Sequence, residues 1–398
     1  MEYRPCTSFS ITRREFLTGC SLSVAGVLVL GLPVSGCSEE RGGGTSSGIL
    51  EGRRGYIKPV VSPYFLSLDD NAVMCLLCPR GCVVSEGKRG YCEVRENRGG
   101  KYYSLVYGNP CAIHVDPIEK KPFFHVLPNT TSFSIATAGC NFTCKFCQNF
   151  DISQAVPENT INFALLPKDI PLEARSYLSQ SVAYTYVEPT IFYEYMLDTV
   201  KEVKSAGLLN VMHSNGFINP GPRKELSRYM DAVNIDLKGF SDTFYSEMTE
   251  GKLEPVKNSI SGYKKAGVHV EITNLVIPTL NDDPKMIGAM CEWIRDEVGK
   301  DTPLHFSRFH PMYKLMNIPP TPVETLEAAR NVASQIGLEY VYIGNVPGHA
   351  AESTFCPRCK EMVIFRSGYF VGEVKLKRGA CAFCGFPIPG IWKTPSRS

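Results

Sequence analysis

The stretch Ser132-Phe133-Ser134-Ile135-Ala136-Thr137-Ala138-Gly139-Cys140-Asn141-Phe142-Thr143-Cys144-Lys145-Phe146-Cys147 joins a short apolar run to three cysteines spaced x3 and x2. Ser132–Ala136 reads as a buried strand, and the cysteines fall in the loop directly after it. Three thiolates within eight residues make a loop tight enough to hold three irons of a cubane cluster. No fourth cysteine lies nearby in sequence, so one iron would keep open coordination positions. A cluster needs those positions to bind and reduce a substrate. A zinc site completed by a distant histidine and a ferredoxin-type relay are the other uses of such a triplet.

Outward from this stretch the chain alternates apolar runs with helical patterns. Strands are expected at Ser132–Ala136, Ser181–Tyr186, Leu209–His213, Ala232–Leu237, Val268–Val276, Leu304–Phe309 and Tyr340–Ile343. Ile191–Ala206 carries apolar residues near 3.6 spacing and stops at Gly207; Pro284–Val298 and Pro322–Ile336 each open on a proline. Strand–helix units with few hairpin signals predict an α/β fold, a parallel sheet curled into a full or partial (β/α) barrel. Active sites of such barrels lie at the C-terminal strand ends. The chemistry-bearing residues follow that rule: Cys140, Cys144 and Cys147, then Glu188, Ser214-Asn215-Gly216, Asp236 with Lys238, and Arg308 with His310.

The chain has 398 residues, 43% of them hydrophobic, which suits a folded body with a large core, and a net charge of +2 gives no bulk attraction to nucleic acid. Eleven of its 16 cysteines fall into three tight groups, as metal ligands do and disulfide frameworks generally do not. Cys75-x2-Cys78-x3-Cys82-x9-Cys92 suits structural zinc or an auxiliary iron–sulfur cluster, and the spacing leaves both open. Cys356-x2-Cys359 and Cys381-x2-Cys384 form a knuckle pair that reads as a tetrahedral zinc ribbon. Glu119-Lys120-Lys121 reads as a solvated charged face. At the start, Thr12-Arg13-Arg14-Glu15-Phe16-Leu17, the apolar Leu22–Leu32 and Val34-Ser35-Gly36-Cys37 look like a twin-arginine leader ending in a lipobox. The expected divisions are a leader at 1–37, a Gly/Ser linker at 38–57, a cysteine-rich module at 58–131, the core at 132–350, and a zinc-ribbon-like module with tail at 351–398.

Cys140-x3-Cys144-x-Phe146-Cys147 after a first barrel strand resembles the signature of radical S-adenosylmethionine (SAM) enzymes. The resemblance implies a 4Fe–4S cluster on these three cysteines, SAM chelated to the fourth iron, and one-electron cleavage to a 5′-deoxyadenosyl radical that abstracts a hydrogen atom. It also implies cofactor contacts. Phe146 lies beside the cluster, and Glu188 stands where the family has Gly-Gly-Glu and would bond the SAM ammonium. Asn215 and Gly216 resemble the Asp-Thr-Asn-Gly stretch of glycyl-radical activating enzymes, with His213 in place of its Asp. Asp236-Leu237-Lys238 matches their Asp-Leu-Lys, and strand alternation puts Asp236 and Lys238 on one face.

The wider arrangement covers about residues 70–392. It comprises the four-cysteine module, Val115-Asp116-Pro117-Ile118-Glu119-Lys120-Lys121-Pro122, Ala138-Gly139-Cys140-Asn141-Phe142, Glu188-Pro189-Thr190-Ile191-Phe192 and the ribbon. It looks like the AmmeMemoRadiSam-system radical SAM enzymes, related to pyruvate formate-lyase activating enzymes. That resemblance implies Memo-like and AMMECR-like partner proteins and a low-potential electron donor. Other readings are a glycyl-radical activase acting on a partner's glycine, a non-catalytic iron–sulfur carrier, and a zinc-dependent scaffold. The leader predicts a folded protein exported and lipid-anchored outside the cytoplasmic membrane, touching the membrane only through that leader; the alternative is a cytoplasmic protein.

Overall fold

The structure, a computed structural model, describes residues 51–394. Its centre is an eight-stranded sheet: β1 (Ala112–Pro117), β2 (Thr131–Ala136), β3 (Ser181–Tyr184), β4 (Leu209–Ser214), β5 (Ala232–Asp236), β6 (His269–Val276), β7 (Leu304–Arg308) and β8 (Val341–Gly344). The strands neighbour one another in chain order. β2 to β8 run parallel, β1 pairs antiparallel with β2, and β1 and β8 remain as edges. The fold is therefore a partial (β/α) barrel, flanked by small cysteine-rich modules. Strands such as Ser181-Val182-Ala183-Tyr184 are buried throughout, as expected where helices cover a parallel sheet.

The crossovers are α1 (Ile170–Ser176), α2 (Tyr193–Ser205), α3 (Pro220–Leu226), α4 (Asp242–Thr249), α5 (Leu253–Lys265), α6 (Pro284–Trp293) and α7 (Val323–Ile336). In α2 the buried Tyr193, Met196, Leu197, Val200 and Val203 repeat at helical spacing and face the sheet. The helix ends where Gly207 adopts φ +72° and Leu208 N–H donates back to Val203 O. Its start lies two residues later than the pattern suggested, because Pro189–Phe192 forms a 3₁₀ turn first. α6 likewise stops at Trp293 and continues as a π turn, Ile294–Gly299.

Three expectations need correction. The sheet begins at Ala112 and not at 132. The segment assigned to a linker ends early, since Gly52–Arg54 pairs antiparallel with Ile161–Phe163. Glu119-Lys120-Lys121 is no solvated face: Glu119 and Lys121 are buried, and Lys121 Nζ sits 2.5 Å from Asp116 Oδ2. The reading of residues 1–37 as a leader, and of the linker up to residue 50, lies outside the described residues. No helix among the described residues is long and apolar enough to cross a membrane. The expectation of an exported, lipid-anchored protein rests on residues 1–37 alone and is withdrawn.

The amino-terminal module packs two three-stranded antiparallel sheets. One holds Val60–Val61, Arg95–Arg98 and Lys101–Ser104; the other holds Phe65–Ser67, Val73–Cys75 and Val83–Val84. The carboxy-terminal module is a three-stranded antiparallel sheet with a short hairpin, Leu376–Lys377 and Ala380–Cys381.

Candidate functional site

The cysteine loop leaves the C-terminal end of β2 and is fastened on two sides. Asn141 Nδ2 donates to Phe217 O at 3.0 Å, and Asn215 Nδ2 donates to Asn141 Oδ1 at 2.8 Å. On the other side Thr143 N–H and Lys145 N–H donate to Thr249 O and Met248 O at the end of α4. Held this way, the thiols of Cys140, Cys144 and Cys147 border one cavity of about 810 Å³, within the usual range for small-molecule sites. Burial pushes the Cys144 thiol up to about 12, and the Cys140 thiol rises as well, with neighbouring thiols adding to both. Soft thiol donors of this kind become ligands when a metal centre supplies the positive charge. The donor set therefore fits an iron–sulfur cluster. Cys111, at the start of β1, borders the same cavity, but the charged group acting on its thiol is Asp151 and not another cysteine.

Glu188 lies in the cavity wall yet is only 2% exposed. Its carboxylate accepts from Thr190 N at 3.1 Å, Thr190 Oγ1 at 2.6 Å, Ser214 Oγ at 2.9 and 3.0 Å, and Asn215 N at 2.7 Å. Burial pushes its carboxyl up and these donors pull it back. The side chain thus caps the 3₁₀ turn after β3 and clamps the end of β4 to it. An expected direct partner of an ammonium group turns out to be occupied by its own protein.

Asp236 and Lys238 do share one face and pair at 2.9 Å, and His213 Nε2 lies 3.1 Å from the other Asp236 oxygen. Burial raises the Asp236 carboxyl, but Lys238 and His213 outweigh it and hold it well below the usual carboxylate range. The Lys238 ammonium also stands 5.6 Å from the Phe146 ring centroid, so Phe146, Asp236, Lys238 and His213 form one charged corner of the cavity. The other expected residues divide. Asn215 borders the cavity; Gly216 sits behind it at φ +72°, where an added Cβ would come within 2.9 Å of Ile235 Cγ2. Arg308 turns away to Thr321 O, and His310 is exposed to solvent.

Several wall residues were missed from sequence. Lys121 reaches the site from the antiparallel edge, where its Nζ pairs with Asp116 and donates to Tyr186 OH at 2.9 Å. Tyr186 takes φ +66°, a costly conformation for a large side chain, while its hydroxyl bonds Asp116. The Asp-Pro-Ile-Glu-Lys-Lys stretch marks this region, but nothing local in it reveals burial. In the carboxy-terminal module Cys356 Sγ lies 3.6 Å from Cys384 Sγ and Cys359 Sγ 3.7 Å from Cys381 Sγ. These four are the one group among the described residues with three or more potential ligand atoms mutually within 4.8 Å.

Comparison with known proteins agrees with the cysteine loop. The Radical SAM superfamily model matches residues 134–290. An uncharacterized protein of Methanocaldococcus jannaschii, MJ0808, is 47% identical over 329 residues, covering 82% of this chain and 97% of the relative. The chain belongs to the radical SAM superfamily. A pyruvate formate-lyase-activating enzyme of Clostridium pasteurianum is 24% identical over 161 residues, 40% of this chain and 67% of that protein. Among solved structures, a radical SAM methyltransferase from Sphaerobacter thermophilus aligns with TM-score 0.44 at 13% identity, covering 77% of this chain and 81% of that one. Membership implies a 4Fe–4S cluster and SAM, and relatedness to the activating enzymes is supported.

Proposed function

We propose that this protein reductively cleaves SAM at a 4Fe–4S cluster ligated by Cys140, Cys144 and Cys147, and abstracts a hydrogen atom from a substrate held in the same cavity. The observation that carries the reading is three cysteines, Cys144 buried and Cys140 and Cys147 partly buried, on the wall of a cavity of about 810 Å³ at the C-terminal end of a parallel sheet. When bound, the cluster supplies the electron that splits SAM into methionine and the hydrogen-abstracting 5′-deoxyadenosyl radical. The chain's own residues bind and orient. Glu188 locks the β3 and β4 ends in place, Asn141 and Asn215 fix the cysteine loop, and the Asp236–Lys238–His213 corner offers charges to the polar groups of SAM. Lys121 and Tyr186, both bonded to Asp116, line the cavity at the opposite edge, a place suited to the substrate.

The finer assignment, an AmmeMemoRadiSam enzyme working with Memo-like and AMMECR-like proteins and a low-potential donor, is part of this proposal and rests on sequence resemblance. Relatedness to the Clostridium activating enzyme supports a second reading, abstraction from a glycine of a partner protein. The knuckle cysteines suit a single zinc, since the ~3.8 Å sulfur separation around a tetrahedral ion with ~2.3 Å bonds matches theirs.

The test is anaerobic reconstitution with iron and sulfide, then SAM and a strong reductant. 5′-Deoxyadenosine is expected from the wild type and not from the combined Cys140→Ala, Cys144→Ala, Cys147→Ala variant. Undiminished deoxyadenosine from that variant would overturn the assignment.

A further inference from the structure

Cys75, Cys78, Cys82 and Cys92 border a hollow of their own, about 20 Å³ of which can take the centre of a water molecule. About 10–15 Å³ by this measure already holds one water, so the thiols stand around real space. A tetrahedral zinc draws its four sulfurs to about 3.8 Å from one another and leaves no such space. The ribbon cysteines show that closed spacing; no three of the amino-terminal thiols come mutually within 4.8 Å. A cubane sets each thiolate on a different iron and needs the wider arrangement. The spacing is imposed by paired backbone. Cys75 ends a strand and its N–H donates to Cys82 O at 2.9 Å, while Gly90 N–H donates to Arg95 O at 3.0 Å beside Cys92. A buried cation, Arg95, also lines the hollow and is held by two bonds to Glu194, at 2.9 and 2.5 Å.

The hollow adjoins the three-cysteine loop. Asn141, next to Cys140, is in its wall, Arg80 Nε donates to Asn141 O at 2.6 Å, and a Cβ on Gly139 would stand 2.5 Å from Cys92 O. Cys78, Cys82 and Cys92 are partly open to solvent.

We infer that Cys75, Cys78, Cys82 and Cys92 hold a second, four-cysteine cubane iron–sulfur cluster that passes electrons inward to the Cys140 site. One electron leaves a low-potential flavin or iron–sulfur protein, which is oxidised by one. The cluster accepts it and is reoxidised on handing it inward, with no bond or proton transferred. The electron's destination rests on the radical SAM reading; the ligand set does not.

Iron, sulfide and zinc counts with electron paramagnetic resonance on the reconstituted full chain test this. The wild type is expected to hold about eight irons. The triple variant lacking Cys140, Cys144 and Cys147 should keep about four, with a reduced-state signal that SAM does not alter. A Cys75→Ser, Cys92→Ser variant should also keep about four, with a signal that SAM shifts. It should lose at least tenfold in deoxyadenosine with a flavodoxin donor but not with titanium(III). An iron-free triple variant that retains its ribbon zinc, or two zincs per wild-type chain, would overturn the second cluster. Equal loss of deoxyadenosine with both reductants would overturn the relay. A wild type with about four irons that still makes deoxyadenosine sinks this inference alone; one with irons only on Cys75–Cys92 and no deoxyadenosine sinks the proposed function alone.

Discussion

Glu188→Gln separates a carboxylate that holds the protein from one that holds the ligand. In the wild type two backbone N–H groups, of Thr190 and Asn215, converge on opposite carboxylate oxygens, and two hydroxyls fill the remaining lone pairs. An amide has one oxygen. Whichever way it is turned, its NH2 faces either Thr190 N–H or Asn215 N–H, donor against donor. The hydroxyls of Thr190 and Ser214 can rotate to accept, but a backbone N–H cannot. One buried N–H is then stranded at about 1–3 kcal/mol, and the bonds that remain lose their charge assistance, roughly another 1 kcal/mol. The ligand-free variant should therefore lose about 2–4 kcal/mol, read as a lower denaturant midpoint at unchanged slope under anaerobic conditions. SAM affinity of the reconstituted variant should fall as well, because Asn215 is displaced. An unchanged midpoint with SAM affinity lowered tenfold or more would show that the carboxylate is spent on the ligand, and the clamp argument would be wrong.

Asp236→Asn leaves Lys238 without its carboxylate. Both side chains border the cavity, so the loss should be about 2 kcal/mol, below the 3–5 kcal/mol of a fully enclosed pair, and Lys238→Met on the same background should recover part of it in a denaturation series. Gly216→Ala, at φ +72° against Ile235, should cost about 1–3 kcal/mol through backbone strain and overpacking, which a shifted midpoint would register. Burial holds His125 down to about 3, against 6.5 when free, so the unfolded chain binds a proton that the folded chain refuses. Stability should fall as pH drops through 6.5 and keep falling to about 3, by up to roughly 5 kcal/mol, and His125→Gln should flatten that slope in midpoints measured across pH. Cys381→Ala should release one zinc without loss of iron, measured by metal analysis.

Seven of the eight sheet strands are legible in sequence because strands covered on both faces write nearly unbroken apolar runs, as in Val182-Ala183-Tyr184 and Ala232-Val233. β1 escaped for the complementary reason. Ala112-Ile113-His114-Val115-Asp116-Pro117 is an edge strand with exposed His114 and Val115 and a terminal proline, so it carries neither a clean alternation nor an apolar run. The cysteine groups were legible because metal ligation is local in the chain. The corner of His213 with Asp236 was not, since it depends on β4 lying beside β5 with His213 opposite Asn234. Burial of Lys121 was hidden for the same reason: Asp116 and Tyr186 reach it from different segments.

The ribbon module is part of the cavity rather than an appendage. Tyr369 and Glu352 border the same space as the three cysteines. Their position is set by polar groups with no exposure to spare. Arg366 donates to Phe124 O at 2.6 Å and to Thr354 Oγ1 at 2.7 Å, while His125 bonds Pro389 O and Tyr342 OH, both at 2.6 Å. Glu271 on β6 accepts from Phe124 N and His125 N and meets His305 at 2.6 Å, so segment 124–125 is pinned between sheet and module. Buried groups of this kind are costly when unpaired, which makes the docking close to all-or-none. The module that holds the knuckle cysteines also carries Gly368 and Tyr369 to the cavity, so an ion bound by those cysteines would help to set the shape of that wall.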